Sequence, residues 1–583
     1  MTMKTLLTLF IIALIIRLVA MLWWQFDGLY GQDAYAYWQQ ASAIAENLPK
    51  GQPPPPDFFW PNGFPLLIAF LTLLTGQTPL AGQLAALLGG ALLAPLAYLL
   101  SQELLTNSVQ KTQTGLNKSM ATRNHRAGIL TGLIVALAGQ PILSSLVIMA
   151  DMPALLWATL AAWLVVRAAR RLGEVEGPPS PPKGGVLSKI SPSGGVGELP
   201  SSGGSGELPP SGGSGGFPPS GGSGGLPPSG GLGGPRSAPS ALWFLGAGAA
   251  LAMAIISRWL YILITPGLAG YVIFKMYQNR VLSWQPLWAV LSGSVILGPQ
   301  LWLSLNKPAG LFHSWLLGWH PTNFFGREFT NIDGHFVYQL PVGLFYAQPA
   351  GHPAYIFPLL GFASLWGVWR LWRTRAWGPL ILLLGWAGPV YFFLAGIPYQ
   401  NFRFGLTLYL PLVILTGFGV SDLWQELHRP RATGEFPAAP LFFDPAALLK
   451  TLTALSLLGM LAWAYPMLDD FLSAQNQSKL IARQVEQTLP QEAALLTFGL
   501  TLTFQHYTQL KTSELFYLNE AALDALTASQ TPFYLLLDVE NIERQWQGRA
   551  PALNYHWLRD HTKLTRMADF PPYTLFKAER LKF

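Results

Sequence analysis

Cysteine is absent from this chain, which excludes disulfides and thiolate metal sites. Charge is scarce as well: Asp, Glu, Lys and Arg make up 11% of the 583 residues, less than half of the roughly 25% found in a soluble domain. A dinucleotide GxGxxG fingerprint and a P-loop are also missing, so soluble nucleotide chemistry has no visible home. Apolar surface takes the place of charge. Hydrophobic residues form 51% of the chain, with 22 Trp, 19 Tyr and 33 Phe, a composition that suits lipid as the main solvent and aromatic rings at two membrane-water interfaces. The formal charge of +7 needs no nucleic acid to explain it, because Lys and Arg cluster in short connections between apolar runs, where they set orientation.

The first run, KTLLTLFIIALIIRLVAMLWW over 4–24, is long and is followed by no small-residue cleavage site, so it reads as a retained span rather than a signal peptide. Beyond it the loops fall into two sets. One is basic: Lys111, Lys118, Arg123 and Arg126, then Arg167, Arg170 and Arg171, then Lys275 and Arg280, then Arg370, Arg373 and Arg375, and finally Arg429 and Arg431. The other set, 25–62, Asp151, 306–353 and 396–403, carries carboxylates, aromatics and His. With Lys4 inside, every basic loop falls in the cytoplasm if the spans are 4–24, 78–101, 127–149, 152–170, 241–257, 258–275, 286–305, 354–373, 376–396, 403–421 and 447–466. The expected fold class is therefore mainly α, a polytopic transmembrane helix bundle of about eleven spans. The segment 63–76 is too short to cross a core of about 30 Å and is expected to lie at the outer surface or dip into it.

Two stretches differ from the rest. Residues 173–240 are rich in Gly, Pro and Ser, with a nine-residue repeat in SGGSGELPP, SGGSGGFPP and SGGSGGLPP. Such a composition cannot bury a core and is expected to form a disordered cytoplasmic linker. From about 469 charge density rises, and β-like runs (ALLTFGLTLTF, FYLLLDV, YTLFKA) flank a helix-like SELFYLNEAALDALTAS, which reads as a small extracytoplasmic α/β domain over 469–583. The expected organisation is a transmembrane region over residues 1–172 with a first outer loop at 25–77, the insertion 173–240, and a second transmembrane region over 241–468 with an outer loop at 306–353, followed by that domain.

In such a protein the informative residues are ionisable groups near the bilayer, since each costs about 2.5–3.5 kcal/mol at a helix centre. Asp33, Asp151, Arg258 and Arg403 all map to the outer side. Asp33 shares a helical face with Tyr37 and Ala41. It can be read as the N-cap of an interfacial helix or as a general base at the membrane surface. Asp27 reads as a hydrated loop residue. Asp151, with Pro153 two residues on, reads as an ordinary helix start. Arg258 and Arg403 run against the positive-inside trend, either as snorkelling cations or as guanidinium forks for a lipid-linked phosphate. The outer loop holds His313, His320, Glu328, Asp333, His335 and His352 without the i, i+4 spacing of an HExxH zinc site. No cofactor is required by these residues, and a divalent metal has little to recommend it.

Taken in order, these residues resemble a known family. A first span ending near Arg17, then Asp33, Tyr37 and Ala41 as D-x-x-x-Y-x-x-x-A, then PNGFPLLIAFLTLLTG, Asp151-Met152-Pro153, Ser257-Arg258 and FRFGLTLYLPLVIL with Arg403 and Pro411 are similar to the membrane glycosyltransferases of the glycosyltransferase-C fold. The nearest groups are the protein O-mannosyltransferase (family 39) and aminoarabinose transferase relatives. The resemblance implies a multi-pass protein of the bacterial inner membrane, with its active site facing the periplasm or exterior. The implied activity is hexosyl or pentosyl transfer from a polyprenyl-phosphate sugar to a protein, lipid or glycan acceptor, with inversion. It implies Asp33 as catalytic base, Asp151 or Asp27 as supporting acid, Arg403 and then Arg258 as donor-phosphate ligands, and Tyr37, Tyr399 and His352 in the substrate pocket. The family usually has a second acid directly after the base, and here Ala34 stands there. The alternatives are a multi-span transporter or lipid flippase, which needs midplane sites on repeated halves, and a noncatalytic envelope scaffold.

Because a flexible linker contributes little to spans or site, deletion of 180–235 is expected to leave membrane insertion and activity unchanged, as read by membrane-fraction yield and transfer assay; loss of either would contradict the linker reading.

Overall fold

The computed structural model describes residues 2–55, 58–106, 117–172, 240–306, 318–331, 333–428, 444–528 and 533–581. The expectations placed on the insertion 173–239, on Lys111, His313, Arg429 and Arg431, and on the Lys118 side chain lie outside the described residues.

Apolar runs become helices because lipid offers backbone N–H and C=O groups no partner except one another. In chain order these are α1 (Thr2–Trp24), α2 (Asp33–Asn47), α3 (Gly63–Thr75), α4 (Leu80–Thr106), α5 (Asn117–Leu137), α6 (Gly139–Leu146), α7 (Asp151–Arg171), α8 (Ser240–Ser257), α9 (Thr265–Asn279) and α10 (Leu287–Leu305). A hairpin of β1 (Glu328–Asn331) and β2 (Gly334–Val337) follows, then α11 (Val342–Ala347), α12 (Pro358–Arg373), α13 (Trp377–Gly396), α14 (Leu406–Leu427) and α15 (Pro445–Thr488). Among the described residues nine helices are long and apolar enough to cross a membrane, or ten if α5 and α6 are one bent span. The chain is a multi-pass integral membrane protein.

The count of about eleven is reached only by including two irregular segments. The expected span 127–149 is broken, with α5 and α6 bent by 53°. The expected span 354–373 yields α12, 16 residues long, about 24 Å against a core of about 30 Å. The segment 63–76 forms the 13-residue α3, too short to cross, as its length predicts.

The break between α5 and α6 follows from local chemistry. Pro141 in the first turn of α6 cannot donate a backbone hydrogen bond or extend α5 without a clash, and Ala138 is extended, with φ −68° and ψ 132°. The freed carbonyls at the end of α5 lie inside the bundle and need donors. Fully buried Arg17 of α1 supplies them: its guanidinium donates to the carbonyls of Ala136 and Val135, at 3.3 and 3.4 Å, and to Ser145 Oγ of α6 at 2.9 Å. Tyr409 of α14 donates its hydroxyl to the Ile134 carbonyl at 3.0 Å. Gly90 of α4 faces this knot, and a Cβ there would run into Ser145 Oγ and the Arg17 Nε.

After α15 the chain forms a five-stranded sheet in the order β4-β3-β5-β7-β6, from β3 (Ala494–Thr497), β4 (Lys511–Glu514), β5 (Phe533–Leu537), β6 (Thr562–Phe570) and β7 (Tyr573–Arg580). β3 runs parallel to β4 and β5, while β7 is antiparallel to β5 and β6. The central β5 is buried along its whole length, which suits its unbroken apolar run FYLLL. The run ALLTFGLTLTF, expected as a strand, is strand only to Thr497. Gly499 then takes φ +80° and the chain turns into α16 (Thr501–Tyr507). Within SELFYLNEAALDALTAS the helix α17 covers only Glu520–Ala528, and Ser513 and Glu514 belong to β4. α15 passes unbroken through 468/469 to Thr488, so span and sheet domain share one helix.

An Arg→Lys change at 17 keeps the charge but loses the planar fork. Arg17→Lys and Gly90→Ala are both expected to lower the thermal midpoint of detergent-solubilised protein, each by disturbing the α5–α6 break, and wild-type midpoints for both would remove Arg17 from its support.

Candidate active site

Six segments from along the chain surround one cavity of about 840 Å³, within the usual size for ligand sites. Its wall is built from Tyr30 to Asp33 at the start of α2, Gln140 and Ser144 of α6, Asp151 at the start of α7, His352, the turn Asn401–Arg403, and Trp463 to Phe471 of α15. The α5–α6 break places α6 in that wall.

Asp33 does not cap its helix. The N-cap is Gln32, without a side-chain cap bond, and the Asp33 carboxylate instead accepts from Arg403 Nη2 at 2.7 Å, 370 residues away. The capping reading fails because a charged guanidinium is a stronger partner for the carboxylate than a neutral helix N–H. Among the described residues only one carboxylate oxygen is engaged, and the Asp33 side chain is 33% exposed. Arg403 is placed by the short 3₁₀ turn Phe402–Gly405, which Asn401 caps by accepting the Arg403 N–H at 3.2 Å. Its Nη1 donates to Tyr30 Oη at 3.1 Å, and its buried Nε has no acceptor among the described residues. Burial pushes the Tyr30 phenol above its usual range, against the opposing pull of Arg403, so Tyr30 stays protonated near neutrality.

The second pair is Asp151 and Arg258, in direct ionic contact. Asp151 is the first residue of α7, so a helix-start reading fits its position. Its side chain is only 4% exposed, and its Oδ2 has no hydrogen-bond partner among the described residues. Arg258 lies in the extended residue between α8 and a 3₁₀ turn, stacks over Phe404 at 4.8 Å from the ring centroid, and is not among the residues of the cavity wall. Phe404 also lies 6.0 Å from the Arg403 guanidinium, so both cations lie near one ring.

The remaining expected residues separate. His352 lines the cavity, its ring against Phe402 and Trp463, and burial lowers its pKa below the ordinary histidine value. Tyr37 is buried against Phe58, Trp60 and Phe64 and packs α2 on α3. Tyr399 packs on Phe336 and Phe404 beside the turn without lining the cavity. Asp27 is outside the cavity too. It accepts from Lys479 Nζ at 2.5 Å and from the Tyr507 hydroxyl, which ties the first loop to α15 and α16. Its neighbour Gln32 donates to Glu514 of β4 at 2.8 Å. Gly28, at φ +89°, lets this loop turn where a Cβ would strike Ile148.

Sequence reasoning missed Tyr30, Asn401, Gln140, Trp463 and Asp470. Asn401 had a signal, an Asn two residues before the key Arg, where a cap belongs. Asp470 sits in an acidic pair within an apolar stretch, YPMLDDFL. Among the described residues no group of three or more His, Asp or Glu is arranged to hold a metal ion.

This arrangement of spans, cavity and sheet domain is the glycosyltransferase-C fold. The chain is similar in structure to ArnT from Cupriavidus metallidurans, both apo (TM-score 0.55, 12% identity) and bound to undecaprenyl phosphate (TM-score 0.52, 13% identity), in each case over 97% of either chain. It is also similar to the Archaeoglobus fulgidus oligosaccharyltransferase tethered to an acceptor peptide containing the NVT sequon, with TM-score 0.52 and 12% identity over 99% of this chain and 74% of that one. No family model matches the sequence, and no curated protein matches it.

Losing one partner of a buried pair strands the other charge, at a cost of about 3–5 kcal/mol. Asp151→Asn and Arg258→Met are each expected to destabilise the protein by that order, while the double variant recovers most of the loss in a double-mutant cycle on thermal or denaturant unfolding. Additive losses would show that the two side chains do not depend on each other.

Proposed function

We propose that this protein is an integral-membrane glycosyltransferase that moves a sugar from a polyprenyl-phosphate donor to an acceptor on the extracytoplasmic side, with inversion at the anomeric carbon. The observation that carries the reading is the Asp33–Arg403 pair, 2.7 Å apart across 370 residues of sequence, on the wall of a cavity that also holds Asp151. A base and an anion ligand stand side by side where both substrates can reach them. The bound undecaprenyl phosphate of the Cupriavidus ArnT and the acceptor peptide of the Archaeoglobus enzyme support a lipid-phosphate donor and a peptide or glycan acceptor.

A sugar on a polyprenyl phosphate already carries a good leaving group, so transfer needs a base, a cation and positioning. Asp33 neutralises Arg403 until a donor arrives. An incoming phosphate competes for the guanidinium, with the unpaired Nε as a ready donor, and the freed Asp33 carboxylate takes the acceptor hydroxyl proton. The acceptor oxygen bonds to the anomeric carbon as the carbon–phosphate oxygen bond breaks, and its electron pair leaves on the phosphate, where Arg403 stabilises the developing charge. Arg258 holds Asp151 and packs on Phe404, the residue after Arg403. That gives it a positioning role and leaves Arg403 as the phosphate ligand. Asp151 supplies a free acceptor oxygen for a donor hydroxyl.

Removing a general base typically costs about 10²–10⁴-fold. Folded, inserted Asp33→Asn is expected to lose at least ~10² in transfer rate, measured with a polyprenyl-phosphate sugar; a rate within a few-fold of wild type would sink the assignment. Arg403→Ala should raise the donor concentration needed for half-maximal rate, with Arg403→Lys intermediate, and an unchanged donor dependence would remove Arg403 from the phosphate.

A further inference from the structure

A second built feature lies at the opposite end of the same helices. Trp424, near the C-terminal end of α14, is 21 positions beyond Arg403, about 32 Å at 1.5 Å per residue, close to the thickness of a bilayer core of about 30 Å. It therefore stands at the other membrane-water interface, the depth that indole favours. Two cations ride on this one ring: Lys450 Nζ of α15 at 4.4 Å from its centroid and the Arg126 guanidinium of α5 at 5.4 Å. His428 stacks on the same indole, with ring centroids 5.0 Å apart. Neither Lys450 nor Arg126 has a carboxylate partner among the described residues. The nearby acids are engaged elsewhere, Asp422 by Arg123 and Arg370 and Glu426 by Arg370. Below the cations a groove of about 290 Å³ runs between α5, α14 and α15, walled by apolar side chains such as Ile129, Leu133 and Leu457.

Two like charges gathered on one ring repel unless an anion joins them, and an aliphatic groove leading away toward the bilayer centre suits a hydrocarbon tail. We propose that this groove binds one anionic glycerophospholipid, its phosphate between Arg126 and Lys450 and an acyl chain along Leu133 and Leu457. A free phosphate would satisfy the cations but leave the groove unfilled. A zwitterionic lipid would fill the groove but bring its own ammonium beside the two cations. The positive-inside pattern puts this end at the cytoplasmic leaflet, where anionic lipids attract Lys and Arg at about 1 kcal/mol each. The site is independent of the sugar-transfer reading, since none of its residues touches the Asp33 cavity.

The test is native mass spectrometry of the full chain in detergent, titrated with phosphatidylglycerol or phosphatidylcholine. Phosphatidylglycerol should form a one-lipid adduct at least ~10-fold more tightly than phosphatidylcholine, Arg126→Gln/Lys450→Gln should abolish that preference, and Arg126→Lys/Lys450→Arg should keep it. Millimolar inorganic phosphate should not displace the lipid. Equal adducts for both lipids, an unaltered preference in the Gln pair, a preference lost in the charge-preserving pair, or displacement by inorganic phosphate would each overturn the proposal.

Discussion

A charge in lipid must find a partner, and this requirement organises the whole protein. An unpaired ion inside the bundle costs several kcal/mol, and several arginines answer it by drawing together segments that the chain separates widely. Arg403 joins the turn before α14 to the start of α2, Arg258 joins the end of α8 to the start of α7, and Asp422 gathers Arg123 and Arg370 from α5 and α12. Arg17 follows the same rule without a carboxylate, since carbonyls freed by a helix break give it acceptors. Helix contacts made of Ala, Gly and Leu would tolerate sliding; these polar ties allow one register.

The same requirement shapes the cavity. Asp33 and Asp151 each meet an arginine there, yet Arg403 Nε and Asp151 Oδ2 keep hydrogen-bonding capacity unused among the described residues. Such atoms are uncommon in buried positions, and here a ligand in the cavity would supply their partners. Under the proposed reaction this couples the two substrates: donor phosphate loosens Arg403 from Asp33, and the base becomes available when a lipid phosphate occupies the site. The sheet domain is fastened to the same loop through Asp27, Lys479, Tyr507, Gln32 and Glu514, so the first loop is held from both sides.

Much of the fold was legible in the sequence. Runs such as 4–24, 376–396 and 403–421 could only be helices in lipid, and FYLLL could only be a buried strand next to a turn-rich region. Legibility failed where tertiary contacts decide. The 127–149 run looks continuous because Pro141 is tolerated when neighbours re-satisfy the backbone, and Arg17, which does so, lies more than a hundred residues away. TFGLTLTF alternates well enough for a strand, but the backbone at Gly499 turns it into a helix. β4 and β6, polar and irregular, carry no strong period to read.

Sequence alone determined the solvent, most of the segments that cross it, the small domain that follows them, and which ionisable residues stand at the helix ends, because hydropathy and charge act locally along a chain. It could place Asp33, Asp151, Arg258 and Arg403 on one side of the membrane but could not pair them. Only the tertiary structure decided that Asp33 meets Arg403 while Asp151 meets Arg258, that Tyr37 is packing and Asp27 a tether to the sheet domain, and that α15 closes the cavity. Those outcomes depend on distances between segments hundreds of residues apart, which are set by how the helices pack and by no property of any one of them.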